Sequence, residues 1–330
     1  MIRETSGPPV LVAPDSFKGT FSASEVAAGL ARGLRLGGIA VVELPLADGG
    51  EGTMEVLLGA LGGDRRKATV SDPLGRPVDA EYALLCDGRT AIVEMAEASG
   101  LRHVAEQQRN AWAASTRGTG ELIVAAARAG ASRIIVAVGG SATTDGGEAA
   151  VRILQEVGID VDLEVVCDVR TAWEDAPRLY GPQKGADREM VRRLEERLDD
   201  LARHSPRDPR GLPYSGAAGG LAGGLWAFFD AHLVPGASYV LDAVGFDAHA
   251  RVAAIVVSGE GCLDEQTLEG KVLAEVAKRC GRAGVPCHAV VGENALGPSR
   301  ALTELGLRSV RRATTIAELE AAGQTLAGLI

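Results

Sequence analysis

Short apolar runs alternate along this chain with longer segments whose apolar residues recur at helical spacing. Val10 to Ala13, Ala40 to Leu46, Arg133 to Val138, Ala253 to Val257 and His288 to Val291 read as strands. Ser24 to Leu34, Thr53 to Leu61, Gly120 to Ala129, Asp187 to Arg203, Lys271 to Arg279 and Glu318 to Leu329 read as helices. In the fourth of these, Met190, Val191, Leu194, Leu198 and Leu201 share one face, and the charged residues form the solvated one. Strands alternating with helices are the pattern of an α/β protein built on parallel sheet.

The rhythm changes between Val70 and Ala91, where Asp72-Pro73-Leu74-Gly75-Arg76-Pro77 reads as a turn between extended strands. It returns from Ala253 onward. The expected architecture is a flavodoxin-like parallel-sheet domain made of residues 1–70 and 250–330, with a second α/β domain, residues 71–249, inserted. Ser205 to Gly224, rich in Pro and Gly, reads as a loop of the inserted domain; its Gly216–Gly224 part fits close helix packing equally well.

At 330 residues and 46% hydrophobic, the chain is long enough for two cores. A net charge of -10 and only 4% aromatic residues argue against a nucleic-acid or anionic-membrane surface. An anionic small molecule must then be met by local N–H dipoles and a few lysines. The five cysteines are scattered with no CxxC pair and read as free thiols of a cytoplasmic protein. The five histidines lack metal-binding spacing, and neither a leader peptide nor a membrane span is expected. Oligomeric state is not readable.

The chemistry gathers where apolar runs end. Val138 opens into Gly139-Gly140-Ser141-Ala142-Thr143-Thr144-Asp145-Gly146-Gly147; other run ends carry Asp15-Ser16-Phe17-Lys18-Gly19, Asp48-Gly49-Gly50-Glu51-Gly52-Thr53 and Ser258-Gly259-Glu260-Gly261-Cys262. Loops at the carboxyl ends of parallel strands form the ligand crevice of open α/β sheets, and Gly-rich turns present N–H groups to anions. Structural roles compete with this reading. Asp15 and Asp48 fit helix N-caps, Asp264 fits a cap for a Leu268–Val276 helix, Thr119 fits a cap for the helix carrying Glu121, and Lys184 fits an exposed loop lysine. Neither Gly270-Lys271 nor Lys184-Gly185 stands in a Walker A frame.

Six ordered motifs carry a further likeness: Pro14-Asp15-Ser16-Phe17-Lys18-Gly19, Ala47-Asp48-Gly49-Gly50-Glu51-Gly52-Thr53, Gly139-Gly140-Ser141-Ala142-Thr143, Gly181-Pro182-Gln183-Lys184-Gly185-Ala186, Gly216-Ala217-Ala218-Gly219-Gly220-Leu221 and Asp264-Glu265-Gln266-Thr267-Leu268-Glu269-Gly270-Lys271. From Pro14 to about Lys271 the chain resembles the bacterial glycerate kinase family (type I). The resemblance implies phosphorylation of a hydroxyl of D-glycerate, expected to give 2-phosphoglycerate, with ATP and magnesium as cofactors and a small hydroxy acid as the partner molecule.

Under that reading Gly139, Gly140, Ser141, Thr143 and Gly146 cradle the nucleotide phosphates, and Lys18 and Lys184 are the candidate charge stabilisers. Asp145 or Asp168 lies near the acceptor hydroxyl. Asp15, Ser16, Asp48, Glu51, Arg117, Asp264, Gln266 and Thr267 are expected to contact substrate, and Asp48 and Glu260 to ligate magnesium. The chain departs from the family in a shortened segment between Gly147 and Cys167, in Arg170-Thr171-Ala172-Trp173-Glu174-Asp175-Ala176 where Asp-Asn-Pro-Leu-Leu-Gly-Pro is usual, and in Cys262 where an arginine is usual. Two alternatives stay open: a kinase of the same fold for another small hydroxy acid, and a degenerate, non-catalytic binding homologue.

Overall fold

The computed structural model describes residues 7–268 and 270–330. Residues 1–6, the start of the segment read as leaderless, and Glu269 of the last motif lie outside the described residues. The strands are β1 (Val10–Val12), β2 (Val41–Glu43), β3 (Gly63–Ser71), β4 (Pro77–Leu85), β5 (Thr90–Glu94), β6 (Arg133–Ala137), β7 (Asp162–Cys167), β8 (His232–Pro235), β9 (Val256–Leu263), β10 (Cys287–Asn294) and β11 (Ser309–Arg312). Two compact units result. One holds the residues up to Asp48 together with Ala237–Ile330, the other Gly49–Gly236.

The first unit is a parallel sheet in the order β11-β10-β9-β1-β2. Counting only this unit's strands, the order is 2-1-3-4-5, that of flavodoxin-like sheets. Every residue of β1 is buried, as expected of a central parallel strand covered on both faces. The helix Ala23–Leu36 packs closely on Ile316–Ala327 because Gly33 and Gly323 sit at the contact, where any Cβ would strike the facing backbone. Its N-terminus is a capping box of Ser22 and Glu25, so Asp15 is not its cap.

The inserted unit is a sheet in the order β3-β4-β5-β6-β7-β8, antiparallel from β3 to β5 and parallel from β5 to β8. The β3–β4 turn forms where the Pro and Gly cluster lies. Asp72 Oδ1 accepts hydrogen bonds from the N–H groups of Leu74 and Arg76. The division at 48/49 and 236/237 differs from the 70/71 and 249/250 read from the sequence. The helix Thr53–Leu61 packs on β4 and β5, and β3 pairs along its length with β4; a βα rhythm does not say which sheet a helix will cover.

Part of the segment read as a loop is helix, Leu221–Phe229. Its glycines serve close packing: a Cβ on Gly220 would lie 2.8 Å from Gly146 Cα and 3.0 Å from the Trp173 ring. Of the two readings of Gly216–Gly224, helix packing is the one the molecule adopts. Among the described residues no helix is long and apolar enough to cross a membrane.

Candidate active site

Each unit carries a charged cavity. In the first unit it measures about 380 Å³ and opens where β1 and β9 end, the point at which strand order reverses in the sheet. Asp15, Ser16, Lys18, Asp48 and Glu260 line it, so five residues expected from the sequence converge here. Asp15 is buried and accepts from the Ser16 N–H at 2.6 Å. Burial and the neighbouring Asp48 hold its proton affinity well above the usual carboxylate range, against the opposing pull of Lys18. Lys18 Nζ donates to Asp48 Oδ2 at 3.0 Å.

Glu260 lies within β9, which continues to Leu263, and not in a loop beyond a strand ending at Val257. Its run of glycines disguised the strand. Burial raises Glu260 to about 7, although Thr267 Oγ1 donates to Oε1 at 2.8 Å and Lys271 is nearby. Thr267 therefore acts on the cavity through Glu260. Asp264 Oδ1 accepts from the N–H groups of Gln266 and Thr267, capping the short helix Glu265–Leu268, while the next helix begins only at Val272. Asp264, Gln266 and Thr267 do not appear in the cavity wall.

Wall residues that were not singled out in the sequence include Lys271, Glu293, Arg312 and Thr314. Lys271 stands in the last motif, which was a usable signal. Arg312 ends β11, a short strand of Ser-Val-Arg-Arg without the apolar run that marks a buried strand.

The inserted unit's cavity, about 220 Å³, lies beyond the ends of β6 and β7 and is lined by Gly139, Gly140, Ser141, Asp168, Tyr180, Gln183 and Lys184 among others. Lys184 is no exposed loop lysine. It is 2% exposed, and its Nζ donates to Ser141 Oγ at 2.8 Å and to the Thr143 carbonyl at 2.6 Å. Burial lowers its pKa to about 7, with Asp145 and Asp168 opposing. A protonated lysine has three donors, and the third meets no protein acceptor among the described residues.

The loop after β6 divides in two. Gly139, Gly140 and Ser141 face the cavity, and the carboxylate of Glu51 lies against Gly140 closely enough to leave no space for a Cβ there. Thr143, Asp145 and Gly146 are interior. Asp145 accepts from the N–H and hydroxyl of Thr116, each at 2.8 Å, and from the Gly147 N–H; it therefore holds the loop to the helix Arg117–Arg128. The amides of Gly139, Ala142, Gly146 and Gly147 are already bonded within the protein, leaving fewer for an anion than the glycine count suggests. Thr119 donates to Ser99 Oγ and does not cap its helix. Arg117 pairs with Glu121 and lines neither cavity.

Glu94, buried at the end of β5, was also missed. Its carboxylate accepts the Met54 N–H at 2.7 Å, the role considered for Asp48 at the start of Thr53–Leu61. Burial lifts it to about 7.

The donor sets fit the cofactors of phosphoryl transfer. Among the described residues no three His, Cys, Asp or Glu side chains form a group able to hold a metal alone. Magnesium, however, commonly takes one or two carboxylates and completes its shell with phosphate oxygens and water. Asp48 and Glu260, both hard oxygen donors in one polar cavity, suit that arrangement. The Lys184 donor left unmatched among the described residues suits an oxygen-rich anion.

A model of the glycerate kinase family matches residues 10–161 and 153–327. A glycerate kinase of Halalkalibacterium halodurans is 39% identical over 322 residues, covering 86% of this chain and 85% of its own. A glycerate 2-kinase of Escherichia coli is 38% identical over 312 residues, with 82% of each chain covered. The crystal structure of a protein titled putative glycerate kinase 2 from Salmonella typhimurium superposes with a TM-score of 0.83 at 34% identity over 98% of both chains.

Proposed function

We propose, since the chain belongs to the glycerate kinase family and is a kinase, that it uses ATP and magnesium to phosphorylate a hydroxyl of D-glycerate, giving 2-phosphoglycerate. The observation that carries the reading is Lys184: a buried lysine, fixed to a Gly-rich loop by two hydrogen bonds, with its remaining donor unmatched beside a cavity. Phosphoryl transfer asks the protein for positioning and charge stabilisation more than for covalent chemistry, and a preorganised buried cation supplies both.

Gly139, Gly140, Ser141 and Lys184 bind the nucleotide's phosphates, with Asp168 favouring the protonated lysine. The first unit's cavity takes the hydroxy acid. There Asp15, a buried carboxylate whose proton affinity is raised by burial and by the neighbouring Asp48, accepts the hydroxyl proton, and Lys18 is kept in place by Asp48. Magnesium, when bound at Asp48 and Glu260, would neutralise phosphate charge.

Cys262 in the cavity wall favours one second reading, the same chemistry on a different small hydroxy acid. The test is ADP release from ATP across a panel of small hydroxy acids, with and without chelator, and NMR of the product to identify the esterified hydroxyl. Turnover of D-glycerate that chelation abolishes supports the reading. ATP hydrolysis indifferent to every acid removes it.

A further inference from the structure

The first unit's cavity holds three cationic side chains, and they differ in what already occupies them. Lys18 is engaged with Asp48 at 3.0 Å. Lys271 is not engaged in this way. Its side chain is 18% exposed, its nearest ion-pair partner is Asp264 Oδ1 at 4.0 Å, outside hydrogen-bond reach, and its Nζ makes no hydrogen bond among the described residues. A mostly buried ammonium without a hydrogen-bonded partner is costly unless something else meets it. Arg312 is half-engaged: Nε donates to the Gly292 carbonyl at 3.0 Å, which fixes the guanidinium plane, and its terminal nitrogens meet no acceptor among the described residues. On the acidic side of the same wall stand Asp15, Asp48, Glu260 and Glu293.

The local chain accounts for how Lys271 reaches the cavity. Gly270, with φ of 109°, turns the backbone between two helices in a conformation open to glycine, and Lys271 follows as the N-cap of Val272–Ala283. Its side chain makes no capping bond, so it is available to a ligand, and the helix behind it is anchored by buried Val272, Leu273 and Val276.

We infer that Lys271, backed by Arg312, recognises the carboxylate of the acceptor acid and so sets the enzyme's preference for hydroxy acids over neutral polyols. The inference rests on the reading that this cavity takes the acceptor. A three-carbon hydroxy acid offers hydroxyls and one charge; Asp15 and Asp48 can address the hydroxyls, whereas the charge needs an unengaged cation. Lys271 supplies a point charge, and Arg312 a planar fork suited to two carboxylate oxygens. Both are recognition residues here, bearing on affinity rather than on the transfer step.

The experiment compares wild type, Lys271→Met, Lys271→Arg and Arg312→Met on D-glycerate and on D-glyceramide, which keeps the hydroxyls and removes the charge. Calorimetric binding of D-glycerate to each protein is measured alongside. A charge-assisted hydrogen bond is worth roughly ten- to a hundredfold in affinity. Lys271→Met should therefore raise the KM and Kd for glycerate by about tenfold or more, leave KM for ATP within about twofold, and narrow the glycerate-to-glyceramide ratio of kcat/KM by a similar factor. Lys271→Arg should restore part of the preference; Arg312→Met should move the same quantities less, because Arg312 is exposed. Two results overturn the assignment: a Lys271→Met variant that loses ATP affinity while keeping its preference for glycerate, or one that loses both substrates equally. Failure of the functional reading looks different, since wild type would then not turn over glycerate at all. In that case unchanged glycerate binding by Lys271→Met would still reject the role of Lys271, and weakened binding would still support it.

Discussion

Lys184 Nζ donates to Ser141 Oγ at 2.8 Å from a position that is 2% exposed, so the ammonium is held by the loop after β6 and not by solvent. If that ammonium meets phosphoryl charge, Lys184→Met should lower kcat by about 10²-fold or more, the scale of losing one preorganised donor in a dry site. The methionine fills similar volume and removes a buried charge, so the thermal midpoint at neutral pH should hold or rise. Lost activity accompanied by a large fall in midpoint would return Lys184 to a structural role.

The same residue should be visible in the pH dependence of stability. Lys184 titrates at about 7 in the folded chain and near the ordinary lysine value, about 10.4, when unfolded. Between those values the unfolded state binds the extra proton, so this group makes stability rise as pH rises from about 7 towards 10. Glu94 has the opposite sign. Raised to about 7, it keeps a proton in the folded state that the unfolded state releases, and its contribution is lost as pH climbs from the usual carboxylate range through about 7. Urea titrations of wild type against Lys184→Met above neutrality, and against Glu94→Gln below it, should show differences that slope in opposite directions. Parallel curves would contradict both assignments.

Lys18 separates activity from stability. It is 60% exposed and paired with buried Asp48, an arrangement worth about 1 kcal/mol or less once solvent screening is allowed for. Lys18→Ala should leave urea stability nearly unchanged and reduce turnover by about 10²-fold or more. Normal turnover would place Lys18 among ordinary surface lysines.

The strand-end chemistry was legible because glycines, hydroxyls and carboxylates follow apolar runs directly, and the Asp72–Pro77 turn was legible because its residue types fix its backbone. What escaped depends on partners distant in sequence. Nothing local to Pro182-Gln183-Lys184-Gly185 says that Ser141 and Thr143 will enclose the lysine. Glu260 looked like a loop residue because Gly259 and Gly261 interrupt β9; a Cβ at Gly259 would strike the Val290 carbonyl of β10. Asp145 looked catalytic from its motif, yet its oxygens are taken up by Thr116 and Gly147.

Cys262 reports on which acid the cavity was shaped for. Burial, and then the neighbouring Asp264, Glu293 and Glu260, push its thiol pKa up against the pull of Lys271; those three carboxylates would favour a cation at this position. Cys262→Arg should lower the KM for D-glycerate. A fall in kcat/KM on glycerate, with a gain or no change on a larger hydroxy acid, would show that the wall fits another substrate.

The most direct measurement is ADP formation by the purified protein given ATP, magnesium and D-glycerate, with the product identified by phosphorus and proton NMR. The expected result is stoichiometric ADP and 2-phosphoglycerate, abolished by chelating the metal. ATP turnover that ignores glycerate, or none with any hydroxy acid despite nucleotide binding, would contradict the account.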